Sequence, residues 1–574
     1  MNLFTKLNKI IPSKYNFNIL LLFLFAFIGV FLEIIGVGMI FPMVEMLLGK
    51  DSFIFDKISF YLNIIIPQNN LENKYLILYL VIGIYLIKNI ILYLLHWFTV
   101  SFNVKFEKEI SKDLINRYLN TNYIFIFGKS SSEIIRNLIS ECSTLNKKVL
   151  FPILIIVMDT LILIGIIFLL LLIEFKVTSL IIFLSISLIL IYYLSSKKLL
   201  YNLGLQRQLY TKLVIKTAQE TIHGLKLIKI LKQENYFENL FTNSFKKSLD
   251  VEKKRNLILF APKLITEVFF VIIFIFFIIF LLKKEIEFIS IIPQLSIYFV
   301  AAVRMIPSIN RMSLNLQTIK YGISSVDLLF EEFKRFENEN KISTEKNKTL
   351  ELNNNIELKN IRFSYNNQKS ILKNINLKIK KGSMIGIVGQ TGEGKSTLVN
   401  ILIGLLKPTS GSIILDNVLF KDNLYDSKNF IGYVPQDTFL LDGTIKQNIV
   451  FTLEQEFKYD EKNFNRAIRL SKLEKFVQSL PNNINTHIGE GGSKLSGGQQ
   501  QRISIARALY RDPKILIFDE STSSLDLETE RQIVQDISQM KVNKTIILIS
   551  HRESTLKHCD EIYKISDSKL GKIK

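Results

Sequence analysis

The chain has 574 residues, 48% of them hydrophobic, and a formal net charge of +21. That length allows two or three domains, and a mean hydropathy of +0.26 predicts long apolar runs. The basic charge suits nucleic acid or an anionic membrane surface, but no RNA- or DNA-binding motif accompanies it, which sets nucleic acid aside as a partner.

Residues 1–16 are short and basic, with Lys6, Lys9 and Lys14 set among Leu3, Phe4, Leu7, Ile10 and Ile11. That spacing suits a helix lying in a membrane interface. The following apolar run is too long for a signal-peptide core and lacks a small-residue cleavage site, so it reads as a retained span. Six apolar segments cover roughly 17–48, 75–100, 149–173, 177–194, 257–282 and 288–306. A membrane-crossing helix needs about 20 residues, and each segment is near or above that length. Cys142 and Cys559 are distant from each other and lack ligand spacing, so neither a disulfide framework nor a metal site is expected of them.

Charge sets the orientation. The stretch 105–148 carries Lys105, Lys108, Lys112, Arg117, Lys129, Arg136, Lys147 and Lys148, and 197–254 is also rich in lysine. Basic loops stay in the cytoplasm, which places both termini there and 51–74 outside, as expected of a multi-pass membrane protein. Phe53, Ile54, Ile58, Phe60 and Tyr61 suggest a short external helix in that outer stretch. Within the second long loop, 217–235 predicts an amphipathic helix on the spacing of Ile222, Leu225, Ile228 and Leu231. The last span continues as helix toward Phe336. The expected domains are therefore a membrane domain over 1–336, a polar linker over 337–355, and a soluble α/β domain over 356–574.

That last domain carries the chemistry. The apolar run Ser383, Met384, Ile385, Gly386, Ile387, Val388 leads into Gly389, Gln390, Thr391, Gly392, Glu393, Gly394, Lys395, Ser396 and Thr397. This is the phosphate-binding P-loop pattern. Its glycines let the backbone wrap phosphate oxygens, and the next helix points its first N–H groups at the negative charge. Lys395 is placed to reach the β- and γ-phosphates and Ser396 to bind Mg²⁺. The run 515–520 is a buried strand ending in Asp519 and Glu520. Asp519 suits the Mg²⁺ shell, and Glu520 suits a base that orients the attacking water.

Leu495, Ser496, Gly497, Gly498 and Gln499 form a second phosphate-binding helix start. One domain needs only one such site for its own nucleotide, so the second makes sense if it closes over ATP held by a partner. With this LSGGQ signature the whole chain resembles the ABC (ATP-binding cassette) superfamily, in its exporter-type half-transporter form. The resemblance implies six spans followed by a P-loop nucleotide-binding domain, the type I ABC exporter architecture. It further implies that two such chains sandwich two ATPs head to tail, with a homodimer as the expected assembly and ATP and Mg²⁺ as cofactors.

The same resemblance matches further positions. Tyr365 corresponds to the aromatic that stacks on adenine, Gln436 to the glutamine that senses Mg²⁺ and the membrane domain, and His551 to the switch histidine near the γ-phosphate. Gly489 to Gly492 resemble the segment before the signature, and Ser523 to Asp526 the loop that crosses the dimer interface. Coupling helices are implied within roughly 116–135 and 219–233, with the fourth and fifth spans crossing to the partner's half.

Ionisable residues at membrane depth are costly and face a cavity or a partner. Here they are Glu33, Lys88, Asp159, Lys263, Glu267 and Arg304, with Arg311 on the same helical face as Arg304. One reading is internal pairing, such as Lys263 with Glu267 at i,i+4. The other is an anion-binding cavity in which Lys88, Lys263, Arg304 and Arg311 meet the cargo. The spans resemble bacterial lipid-linked oligosaccharide flippases of the protein-glycosylation type. The resemblance rests on Phe31, Leu32 and Glu33 with Phe41 and Pro42, on Pro262, Lys263 and Leu264 with Glu267, and on the run from Arg304 to Arg311. It implies a polyprenyl-pyrophosphate-linked sugar as cargo. A lipid A-type glycolipid flippase, a peptide or drug exporter, and an ATP-gated channel or regulator are the alternatives.

Overall fold

The computed structural model describes residues 2–11, 21, 24, 27–29, 31–32, 70–173, 175–282, 288–339, 351–365, 370–420, 429–521 and 525–574. Glu33, Phe41, Pro42 and the external stretch 51–69 lie outside the described residues. The chain forms two compact units, one over Met1–Thr121 and Phe127–Glu339, the other over Asn122–Ile126 and Asn340–Lys574.

The first unit is helical. An amphipathic helix over Leu3–Ile10 precedes long helices over Asn70–Asn120, Phe175–His223, Glu234–Leu282 and Phe288–Glu339, with a helical rod over 131–173 between the first two of these. Five of the six apolar segments fall on these rods. Among the described residues, three helices are long and apolar enough to cross a membrane: Ile82–Asn120, Ser131–Phe168 and Glu234–Ile273. A helix of 51 residues such as Asn70–Asn120 is about 75 Å long at 1.5 Å per residue. That is more than twice the hydrocarbon thickness, so its charged second half projects well beyond the bilayer.

The projecting parts are held by buried polar groups. Glu141, fully buried, accepts hydrogen bonds from Arg207 Nη2 at 2.8 Å, Gln208 Nε2 at 3.1 Å and Ser325 Oγ at 2.6 Å. One carboxylate thereby ties three rods together. A buried charge is tolerated only when paired and hydrogen-bonded in this way. The backbone of Tyr321 lies so close to Gly204 that a Cβ there would meet the Tyr321 carbonyl oxygen at 2.3 Å. No residue but glycine fits this crossing. Lys129 bonds Glu332, also buried.

The expected helix over 217–235 is instead three pieces. The rod ends at His223, a short helix covers Leu225–Leu231, and Lys232 closes it in a left-handed conformation at φ 53°. Of the four spaced apolar residues only Ile228 is buried, whereas Ile222, Leu225 and Leu231 are exposed. Periodicity recorded an apolar stripe but not the break at Gly224. A second short helix, Tyr123–Phe127, lies in the other long loop. The polar composition of 337–339 does not end the last rod, which reaches Glu339.

The second unit holds two sheets. Strands β1 (Asn355–Phe363), β2 (Leu372–Lys380), β4 (Ser410–Leu415) and β5 (Val418–Phe420) form an antiparallel sheet in the order β2-β1-β4-β5. Strands β3 (Met384–Val388), β6 (Ile431–Val434), β7 (Ile515–Asp519), β8 (Thr545–Ile549), β9 (Glu561–Ser566) and β10 (Lys569–Lys572) form the other, in the order β10-β9-β3-β8-β7-β6. From β9 to β6 the strands run parallel. Side chains alternate faces along a strand. Ile515 and Ile517 enter the core shared with β1 and β2, while Leu516 and Phe518 enter a second core with Ile503, Ile505 and Ile533. A strand buried on both faces must be apolar throughout, which is why β7 reads as an unbroken apolar run until its last residue. The two cysteines are free and buried, and burial pushes the thiol of Cys559 up to about 12.

Candidate nucleotide site

The parallel strands β3, β8 and β7 end side by side, and their loops supply the candidate chemistry. After β3 the chain turns through Gly389 and enters the helix Lys395–Ile403 at Gly394, whose φ of +98° favours glycine. A Cβ at Gly389 would meet the Ile565 carbonyl oxygen at 2.8 Å. Glu393 accepts the Gln390 backbone N–H at 2.8 Å, which braces the loop. Lys395 is buried, and its Nζ donates to the Gly389 carbonyl at 2.5 Å and the Gln390 carbonyl at 3.3 Å. Ser396 and Thr391 stand exposed at the loop surface.

Opposite lie the candidates from the other strand ends. Lys395 Nζ is 2.8 Å from His551 Nε2 and 3.5 Å from Glu520 Oε1. His551 Nε2 is also 2.9 Å from Glu520 Oε1. A neutral ring protonated on Nδ1 accepts from Lys395, and one protonated on Nε2 donates to Glu520. The tautomer therefore selects the partner. Gln436 Nε2 donates to Glu520 Oε2 at 3.1 Å. Glu520 has a φ of +47°, uncommon for a residue with a Cβ and of a kind that clusters at functional sites. This bend ends the β7 ladder at Asp519 opposite Ile549, and the Glu520 N–H is still paired, with the Ile549 carbonyl at 3.0 Å.

Asp519 is buried. Burial first, and then the charge of Glu520, raise its carboxyl above the ordinary range. Its Oδ2 accepts from the Tyr433 hydroxyl at 3.1 Å, a contact the sequence reading did not anticipate. The oxygens of Ser396, Asp519 and Gln436 are hard donors of the kind Mg²⁺ takes. With Asp519 Oδ2 on Tyr433 and Gln436 Nε2 on Glu520, Asp519 Oδ1 and the Gln436 amide oxygen remain to serve, so the residues fit the ion.

The signature stands apart from this constellation. Ser496 caps the helix Gly497–Tyr510, its Oγ accepting Gln499 N–H at 3.3 Å while Gln499 Oε1 accepts Ser496 N–H at 2.9 Å. Ser496 and Gly497 are exposed. Among the described residues no hydrogen bond or ion pair joins Ser496, Gly497, Gly498 or Gln499 to the P-loop. Tyr365 packs edge-on to Phe363 at 4.8 Å between ring centroids. Residues 522–524 lie outside the described residues, and Asp526 caps the helix Leu527–Gln539.

In the helical unit the candidates separate. Arg311 is held by Asp159, with Nε at 3.2 and 3.1 Å and Nη2 at 2.5 Å from the carboxylate oxygens. This answers the pairing question for Arg311, because a buried carboxylate requires a partner. Arg304 lies near enough to Arg311 for the two like charges to oppose each other. Lys88 is buried, with Nζ 4.8 Å from the Tyr85 ring centroid. Lys263 is exposed, with Nζ 5.9 Å from the Phe260 ring centroid. The expected Lys263–Glu267 ion pair does not form among the described residues, and both side chains lie on the surface of the single chain.

A P-loop facing paired carboxylates, in a chain with long apolar helices, defines a membrane protein with a nucleotide-binding domain. The family profile of the ABC transporter transmembrane region matches residues 19–303, and that of the ABC transporter matches 372–523. The chain belongs to the ABC transporter family, as a half-transporter with the type I exporter fold. It is similar to an ATP-dependent permease of Candida albicans, 41% identical over 248 residues, 42% of this chain and 35% of that one. It is also similar to an ATP-dependent lipid A-core flippase of Ralstonia nicotianae, 39% identical over 209 residues, 36% of this chain and 35% of that one. The match thus spans little more than a third of either relative's length. The structure of a bacterial Atm1-family ABC exporter with ATP bound superposes with a TM-score of 0.80, covering 97% of this chain and 94% of that one at 19% identity. That likeness shows the fold.

Proposed function

We propose that two copies of this chain form an ATP-driven flippase of the bacterial cytoplasmic membrane, with both termini cytoplasmic. The observation that carries this is the separation within one unit. Lys395, Asp519, Glu520, Gln436 and His551 stand together, while Ser496 and Gly497 are exposed and, among the described residues, Ser496–Gln499 are joined to none of them by a hydrogen bond or ion pair. A second copy supplies the missing signature, so each ATP lies between the P-loop of one chain and the signature of the other. Tyr365 stacks on the adenine. Gly389 to Thr397 hold the phosphates, with Lys395 exchanging its carbonyl and His551 partners for phosphate oxygens. Mg²⁺ supplies charge neutralisation across the phosphates, held by Ser396, Asp519 and Gln436. Glu520 orients the attacking water, positioned by Gln436, and His551 contacts the γ-phosphate. Such chemistry rests on positioning and charge more than on covalent groups.

The cargo is a polyprenyl-pyrophosphate-linked oligosaccharide, moved from the inner to the outer leaflet. Lys88, Arg304 and the partly neutralised Arg311 supply the cationic ground for its pyrophosphate, and Lys263, on an exposed face, supplies a cation toward the lipid side. Arginine suits phosphate because its planar fork can bind two oxygens. A lipid A-type glycolipid is the second reading, favoured by the flippase among the relatives. The test is Glu520→Gln in reconstituted protein. It is expected to bind ATP, trap a closed dimer and lose turnover by about two orders of magnitude or more; near-normal turnover sinks the assignment. Flipping of the pyrophosphate-linked and lipid A-type lipids by the unmodified protein, compared side by side, decides the cargo.

A further inference from the structure

We infer that Tyr433 is a positioning residue for the Mg²⁺ ligand Asp519, an inference that rests on the reading of Asp519 as that ligand. The geometry comes from strand register. Tyr433 on β6 sits opposite Ile517 on the parallel strand β7. Side chains at 517 and 519 share a face, so a long side chain at 433 reaches one pair further along to the carboxylate. The phenol does so, donating to Asp519 Oδ2 at 3.1 Å. Its ring is packed against the core that contains Ile515 and Ile517, which fixes the direction of the hydroxyl.

An aspartate needs such a partner here. The terminal torsion of Asp is broad and roughly two-fold, so a strand end alone does not choose which oxygen faces the metal. The tyrosine engages Oδ2 and thereby presents Oδ1. Buried ligand carboxylates are oriented by outer hydrogen bonds of this kind, and losing one typically costs about 10- to 100-fold in metal affinity or activity. Three residues beyond Tyr433, Gln436 donates to Glu520. The single stretch 431–436 thus orients both carboxylates, one through a hydroxyl and one through an amide.

The experiment uses the full-length dimer carrying Glu520→Gln, so that no turnover intervenes. Mn²⁺ binding to the ATP-loaded protein is followed by electron paramagnetic resonance, and ATP binding in EDTA is measured separately. Tyr433→Phe is expected to weaken Mn²⁺ binding about tenfold while ATP affinity in EDTA and the unfolding temperature stay at the parent values. Asp519→Asn serves as reference. If it binds Mn²⁺ like the parent, the underlying assignment of Asp519 fails. If Asp519→Asn loses Mn²⁺ but Tyr433→Phe matches the parent, the tyrosine's role is overturned and the metal assignment stands. A Tyr433→Phe protein whose ATP affinity in EDTA falls as far as its Mn²⁺ affinity also overturns it, because that marks general loosening of the site.

Discussion

Replacing Arg311 by Gln separates a residue that binds cargo from one that neutralises a neighbour. Asp159 is 3% exposed at its side chain and Arg311 is 52% exposed. The substitution leaves a buried carboxylate without its guanidinium partner. Removing one member of a buried ion pair costs about 3–5 kcal/mol, but half-exposure of the arginine lets solvent screen the pair, which brings the expected loss to about 2–3 kcal/mol. Adding Asp159→Asn removes the stranded charge, and the double variant is expected to recover most of that loss, the coupling being that of residues in direct contact. The assay is thermal unfolding in detergent alongside lipid flipping per folded molecule in vesicles. Arg311→Gln should unfold below both the unmodified protein and the double variant, while flipping per folded molecule stays below that of the unmodified protein in both variants, because the partly neutralised Arg311 also supplies charge to the pyrophosphate. If the double variant is no more stable than Arg311→Gln alone, the Asp159 pairing does not govern this position. If flipping per folded molecule returns in full with stability, Arg311 only neutralises Asp159 and does not meet the cargo.

Arg304→Gln is expected to lower flipping at least tenfold while basal ATP hydrolysis and the unfolding temperature change little, because arginine–phosphate pairs are among the stronger hydrogen-bonded contacts; unchanged flipping moves the cargo toward an uncharged or peptide molecule. Mixed dimers test the composite sites. With Lys395→Ala on one chain and Ser496→Ala on the other, both defects share one site, and roughly half the hydrolysis should survive if the two sites act independently in a two-fold dimer. Both changes on one chain damage both sites and should leave almost none. Equal activity in the two arrangements rules out the shared site.

The chain's own residues were enough to assign the fold class and to locate the candidate phosphate-binding loops. Apolar runs near membrane length, basic loops, and a glycine-rich turn between a strand and a helix are local features, dictated by solvation and backbone sterics within a few residues of each other. The P-loop, the acidic end of β7 and the signature could therefore be read in linear order, as could the continuation of the last span into a long rod. Contacts between distant segments could not. Tyr433 is an ordinary aromatic in a short strand until the register of β6 on β7 sets it beside Asp519. Arg311 had three acidic candidates until helix packing chose Asp159, and Lys263 and Glu267 had the right spacing but do not pair among the described residues. Glu141 is one acid among many in a polar loop until three rods close over it. A side chain's partner depends on which surfaces the packing brings together and on the cost of leaving a buried charge unmet, and both are decided only when the helices and strands take their places.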